Sequence, residues 1–254
     1  MFKRSICVEM IYTEKPFLQR IERIKDLGFD AFEFWSYQNR EVYLIKDIIK
    51  KTGLKLAAII GSKTELTDPE KNKEAICDIK KSINIAQQIG CENLIILTGQ
   101  NKTEINPVIQ KQNIIKILKK VSVNAENAGV TLILEPLNRY DHPGYFLNSS
   151  QEGFDIINKV NSLNLKLLFD IYHQQITEGN IINNILSNID LIGHIHVADV
   201  PGRNEPGTGE LNYINILKTI VENGYDKYVG LEFNPKDSSR EAIGKFNNIL
   251  KQIK

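Results

Sequence analysis

Several things are scarce in this chain. Among 254 residues there are three cysteines, four histidines and one tryptophan. Cys7, Cys77 and Cys91 are odd in number and lack metal-ligand spacing, which excludes a disulfide framework and a cysteine-based zinc site. They read as reduced, mostly buried thiols of a cytoplasmic protein. Charge of one sign is also missing: 32 Lys+Arg stand against 31 Asp+Glu, a net of +1. That balance leaves no basic footprint for nucleic acid and no polybasic membrane anchor. No apolar run approaches the ~20 residues of a membrane span. The opening MFKRSICVEMIYTEKPF has no uninterrupted apolar stretch, so a secretory signal is not expected. The NSS triplet at Asn148–Ser150 then reads as a chance match to a glycosylation acceptor.

What the chain does have is one alternation repeated along its length. Short runs rich in Ile, Val, Leu and Phe occur at 5–10, 29–35, 55–61, 93–99, 131–137, 165–173, 192–199 and 228–234. Amphipathic stretches of helical period lie between them, such as FLQRIERIKDLG (17–28) and NIIKILKKVSVNAENAG (113–129). Helix stops are expected at Gly28, Gly53, Gly90, Gly129 and Gly224. Near-continuous apolar strands separated by helices point to a parallel sheet covered by helices. Eight such units in a chain that is 42% hydrophobic predict an α/β protein, a single (β/α)8 TIM barrel over residues 1–254. A doubly wound open sheet would want a glycine-rich phosphate turn after an early strand, and SICVEMIYTEK offers none.

Active sites of such barrels form at the C-terminal ends of the strands, which makes the later runs informative. The fifth ends in Glu135, the sixth in Asp170, the seventh carries His194 and His196, and the eighth carries Glu232. A buried carboxylate costs several kcal/mol unless it is paired or bound to metal. An ion-pair network would need cations, and no Lys or Arg lies within these strand ends. Glu135, Asp170, His196 and Glu232 therefore read as ligands of one divalent metal. The oxygen-rich set suits Mn²⁺ or Mg²⁺ best, with Co²⁺ and Zn²⁺ admitted by affinity order. His194 shares a strand face with His196. It reads equally well as a hydrogen-bonded histidine deeper in the barrel or as a catalytic group.

At this point the residues match something known. EPLNRYDHPGYFLN (135–148), FDIYH (169–173), HIHVADVPGRNEPGTGELNY (194–213) and GLEFNP (230–235) resemble the hydroxypyruvate isomerase family, with FEFWSYQNR (32–40) a weaker match. That family belongs to the xylose-isomerase-like barrels, alongside ketose 3-epimerases. The resemblance implies that Glu135 and Glu232 are also the acid/base pair. It implies that His173 and Arg203 contact substrate, and that Asp141 falls where epimerases have a substrate-binding carboxylate. One position departs: the family often carries glutamine at the third ligand, whereas His196 is the epimerase-like choice, which widens the substrate class toward ketoses.

Interconverting an α-hydroxy ketone and its aldehyde isomer moves a proton between adjacent carbons. Two carboxylates can remove and return it while a cation stabilises the enediolate. Arg203 then has an evident use against a substrate carboxylate. Its plainer alternative is a loop salt bridge with Glu205 or Glu210. The expected partner is thus a small keto acid or ketose, with no nucleic acid and no membrane, and a homo-oligomer left open. An abasic-site endonuclease on the same barrel would want more histidines and a basic groove. A non-catalytic sugar- or partner-binding barrel would have no need of two rim carboxylates beside a full ligand set.

Overall fold

Each of the eight apolar runs supplies a strand, and the strands close on themselves. The structure, a computed structural model, describes residues 1–253. The strands are β1 (Lys3–Cys7), β2 (Ala31–Glu33), β3 (Lys55–Ile60), β4 (Cys91–Ile96), β5 (Thr131–Leu134), β6 (Leu165–Asp170), β7 (Ile192–Val197) and β8 (Tyr228–Leu231). They are all parallel and follow sequence order around a closed barrel, with β1 sealed to β8 through Ser5 opposite Gly230. Among the described residues nine α-helices cover it: α1 (Phe17–Asp26), α2 (Val42–Thr52), α3 (Asn72–Ile89), α4 (Pro107–Ala128), α5 (Ser150–Val160), α6 (Ile171–Thr177), α7 (Ile181–Ser187), α8 (Tyr213–Glu222) and α9 (Ser239–Lys251). This is the (β/α)8 barrel that the alternation predicts. Among the described residues no helix is long and apolar enough to cross a membrane.

Local chemistry explains the boundaries. The five expected stop glycines all adopt left-handed backbone, with φ between 67 and 78°. A Cβ makes that conformation costly for other residues, so glycine ends the helix there. Helix α4 starts at Pro107 rather than at Asn113. Asn106 caps it by accepting the Val108 N–H at 2.8 Å, and Pro107 occupies the first turn, where its missing N–H costs nothing. The periodicity had hidden this turn because Val108 and Ile109 are exposed. Ser149 likewise caps α5 through the Glu152 N–H at 3.2 Å. The preceding Asn148 is buried and donates to the carbonyls of Leu137 and Tyr145. The NSS triplet is therefore a helix entry.

The main apolar core lies between the barrel and its helices. A second, smaller one fills the barrel: Ala58, Ile95, Ile133 and Leu168, with Ile60 and Leu97 packed above. Strand geometry sends alternate side chains inward. Residues in register share a face, so Asp170, His196 and Gly230 lie on one interior layer near the C-terminal rim. Polar residues at those positions are built into the barrel axis.

Candidate active site

Four strands deliver four donors to one point. Asp170 ends β6, His196 lies in β7, and Glu135 and Glu232 each follow the last residue of β5 and β8. All four are buried, and one donor atom from each lies within 4.8 Å of the others. The apolar run at 165–173 breaks at Asp170 because its Oδ1 accepts the Tyr172 N–H (2.8 Å) and the His173 N–H (3.4 Å). Asp170 thereby starts α6 and keeps Oδ2 turned toward the centre.

Three carboxylates this close would repel one another in a low dielectric. Burial and the neighbouring Glu232 push the Glu135 carboxyl well above the usual range. Burial acts on Glu232 too, but the charges of His196 and Arg203 outweigh it and hold that carboxyl low. For His196, burial opposes protonation, while Glu232 and Glu33 more than reverse that and raise its pKa. Two like groups are thus driven apart by their surroundings.

His196 Nδ1 is the telling atom. It lies 3.2 Å from Glu232 Oε2 and 4.0 Å from Glu135 Oε1. Yet it is buried and, among the described residues, has no aligned hydrogen-bond partner. A buried nitrogen left without an aligned partner costs free energy, and a cation held there would displace the ring's proton and take the lone pair. With three carboxylates around it and no thiolate in the group, the donor set fits a hard or borderline divalent cation.

Arg203 overturns one expectation. The strand ends hold no cation in sequence, but the loop after β7 brings one in. The guanidinium lies 2.5 Å from Glu232 Oε2 and 3.3 Å from Asp170 Oδ2. The alternative loop bridge is absent. Glu205 binds Lys245 Nζ at 2.7 Å and the Lys236 N–H at 2.9 Å, and Glu210 accepts from Gln175. Arg203 has φ 53°, an uncommon backbone for an arginine, so the surrounding loop must hold it. Asp199 supplies much of that hold. Its buried carboxylate accepts five backbone N–H groups, from Val200, Gly207, Thr208, Gly209 and Leu211, at 2.8–3.1 Å.

His173 is buried behind Asp170, with Nε2 at 3.5 Å from Asp170 Oδ2. Its Nδ1 faces the Asn138 amide at 2.7 Å. Burial lowers its pKa to about 4, so the ring is neutral. Asp141 is exposed and accepts from the Tyr172 hydroxyl at 2.7 Å and the Asn138 amide at 3.0 Å. Both residues thus flank Asp170 through Asn138 and Tyr172 rather than joining the four donors.

A cavity of about 570 Å³ opens beside the cluster, lined by Trp35, Ile60, Lys63, Leu97, Gln100 and Tyr145 among others. Trp35 joins cavity to cluster: its indole N–H donates to Glu232 Oε1 at 2.9 Å. The sequence reading missed Trp35, Asp199 and Glu33. Glu33 lies inside the barrel, with one carboxylate oxygen 3.1 Å from Nε2 of both His194 and His196. Its signal was present, since an ionisable residue interrupts the apolar run FDAFEFW just as Glu135 interrupts its own. His194 lies one layer deeper, with Nε2 3.1 Å from Glu33 Oε2 and its ring against Tyr228.

A sequence profile of the xylose isomerase-like TIM barrels matches residues 21–249. The chain belongs to that family. It is 28% identical over 251 residues to the hydroxypyruvate isomerase of Escherichia coli K12, covering 96% of this chain and 97% of that one. It is 30% identical over 245 residues to the 2-oxo-tetronate isomerase of Cupriavidus necator, covering 93% and 94%. Among solved structures, an AP endonuclease of family 2 from Brucella melitensis superposes with TM-score 0.93 at 24% identity, over 98% of this chain and 99% of that one. D-Psicose 3-epimerase from Clostridium cellulolyticum H10, solved with D-tagatose, superposes with TM-score 0.85 at 21% identity over the whole of both. At these identities the two superpositions speak for the barrel alone. The curated relatives speak for the chemistry: both are isomerases, and this family member is an enzyme of the isomerase kind.

Proposed function

We propose that this protein is a divalent-metal-dependent isomerase that interconverts a small α-hydroxy keto acid and its aldehyde isomer, hydroxypyruvate and tartronate semialdehyde being the type pair. The observation that carries this reading is the convergence of three buried carboxylates on the unpaired Nδ1 of His196, with a strained arginine beside them. Glu135, Asp170, His196 and Glu232 would hold the ion, with Mn²⁺ or Mg²⁺ preferred and Co²⁺ or Zn²⁺ tolerated. A bound ion supplies positive charge against the negative charge that develops on two adjacent substrate oxygens.

The remaining work falls to the side chains. In barrel order Glu135 and Glu232 are the outer members of the cluster, with Asp170 and His196 between them. One of the two takes the proton from the hydroxyl-bearing carbon and leaves an enediolate. A proton is then returned to the neighbouring carbon, while the hydroxyl proton passes to the former carbonyl oxygen, so atoms and charge balance. Arg203 presents a fixed planar cation to the substrate carboxylate. His173 and Asp141 shape the substrate side from behind Asp170, through Asn138 and Tyr172.

A second reading, a ketose 3-epimerase, rests on the cavity. At about 570 Å³ it falls in the range of about 300–1,000 Å³ that encloses drug-sized ligands, far more than a three-carbon acid fills. A screen of hydroxypyruvate, C4–C6 ketoses and their acids with Mn²⁺ separates the two. Turnover of the keto acids above the neutral ketoses supports the first reading, and the reverse order supports the second. Glu135→Gln and Glu232→Gln, assayed at saturating Mn²⁺, should each lower kcat by about 10²–10⁴-fold, since an amide cannot accept the proton. Wild-type rates in either variant would remove the two-carboxylate mechanism.

A further inference from the structure

The barrel holds a second group of titratable residues that the proposed reaction does not use. Glu33, His194 and His196 lie together, all buried, directly beneath the four-donor cluster, and His196 belongs to both groups. The His196 ring spans the two layers. Its Nδ1 faces Glu232 and Glu135, and its Nε2 makes a hydrogen bond of 3.1 Å to Glu33 Oε2. The His194 Nε2 reaches the same oxygen at 3.1 Å from below, beside the Tyr228 ring.

The chemistry of that contact decides where a proton sits. Glu33 turns one carboxylate oxygen to the Nε2 of both rings, 3.1 Å from each. An ionised carboxylate only accepts, so the ring nitrogen facing it must donate. A neutral imidazole carries one N–H, and placing it on Nε2 leaves the lone pair on Nδ1. A carboxylate behind a ligating imidazole also holds the ring plane and increases the basicity of the other nitrogen.

Glycine makes the room. In register, Gly230 lies opposite His196 across the β7–β8 ladder. A Cβ there would sit 2.2 Å from Glu33 Oε1, 2.8 Å from His194 Nε2 and 2.9 Å from His196 Cδ2. Any side chain at 230 would therefore force Glu33 and both rings out of this arrangement. The strand conformation at Gly230 is open to other residues, as its φ is not positive, so the close approach is what requires glycine.

We propose that Glu33 is a positioning residue: it accepts the Nε2–H of His196 as a hydrogen bond, in a space kept open by Gly230, and so presents the Nδ1 lone pair to the ion that Glu135, Asp170 and Glu232 would share. His194 supports Glu33 from beneath. This inference rests on the metal reading of the cluster, and its test reads the ion and the ring rather than turnover.

Zn²⁺ serves as a diamagnetic probe. Binding to wild type, Glu33→Gln and Gly230→Ala is measured by chelator competition, and long-range ¹H–¹⁵N imidazole spectra of the metal-free proteins, at a pH where the ring is neutral, report which nitrogen carries the proton. The expected result is Nε2–H at His196 in wild type. Both variants should bind about 10–100-fold more weakly, with the Nε2–H signal lost or split between two tautomers. Gly230→Ala retains the Glu33 charge and displaces it, so it answers even where Glu33→Gln disturbs folding. A role confined to packing would lower the melting temperature and leave the tautomer unchanged. Unchanged affinity, or weaker affinity with the proton still wholly on Nε2, would overturn the inference and leave the metal reading standing. Wild-type protein that takes up no Zn²⁺ would overturn both.

Discussion

The two halves of this barrel are built alike and equipped differently. Strands β5 to β8 carry Glu135, Asp170, His196 and Glu232 at or just past their C-terminal ends, and the loop after β7 adds Arg203. The corresponding ends of β2 to β4 carry Trp35, Ile60 and Leu97, which line the cavity with Lys63 and Gln100. One half concentrates charge where repulsion must be offset, and the other provides a mostly apolar wall. Since the underlying strand–helix unit is the same, the difference lies in the few residues at each strand end. Barrels separate stability from chemistry in this way, because the rim can vary while the layers beneath stay packed.

That division can be broken or sharpened by substitution. The largest effect is expected from Asp170→Ala, which removes a central donor and the cap of α6 together. Elemental analysis should find one divalent ion per chain in the wild type and none in the variant, with turnover falling to background. Retained metal at wild-type stoichiometry would dissolve the site as drawn. Next comes Arg203→Leu. Losing charge-assisted bonds should cost about 1.5–3 kcal/mol with a keto acid, or about 10–150-fold in kcat/KM. A neutral ketose should lose much less. Equal losses on hydroxypyruvate and on a C4–C6 ketose would mean that Arg203 does not read a carboxylate.

Trp35→Phe probes the seam between the halves. It removes the indole N–H from Glu232 Oε1 and keeps an aromatic wall. One hydrogen bond to a carboxylate predicts a loss of about tenfold in kcat/KM. A loss as large as that of Arg203→Leu would mean that the apolar half takes part in the chemistry as well. The smallest effect is expected from Glu205→Gln, which touches neither half's cavity but anchors the Arg203 loop to Lys245 and to the Lys236 N–H. Burial opposes ionisation of Glu205, yet Lys245 and the Lys236 N–H lower its pKa. A lowered carboxyl pKa stabilises the fold above the ordinary glutamate value of about 4.3 and loses that contribution as pH falls through the folded value. Denaturant melts should therefore show the variant less stable by about 1 kcal/mol at pH 7. The gap should close in acid, and a gap independent of pH would assign the loss to packing.

How much of this was legible beforehand follows from the range of each interaction. Strands and helices were readable because apolar periodicity is a local property: the runs at 55–61 and 192–199 contain the whole of β3 and β7. Stop glycines were readable for the same reason, since left-handed backbone at a helix end concerns one residue. The four donors stood out because a charged residue within an apolar strand is anomalous on sight. The rule that barrels work at strand C-termini then brought four distant positions to one rim. Tertiary closure alone decided the rest. Glu33 reaches His194 and His196 because β1 seals β8 to β2 around the ring. Arg203 reaches Glu232 and Asp170 because Asp199 gathers five N–H groups from its own loop. Neither contact leaves a period or a spacing in the chain. Both depend on where a long-range closure puts a side chain, and sequence neighbours carry no record of that.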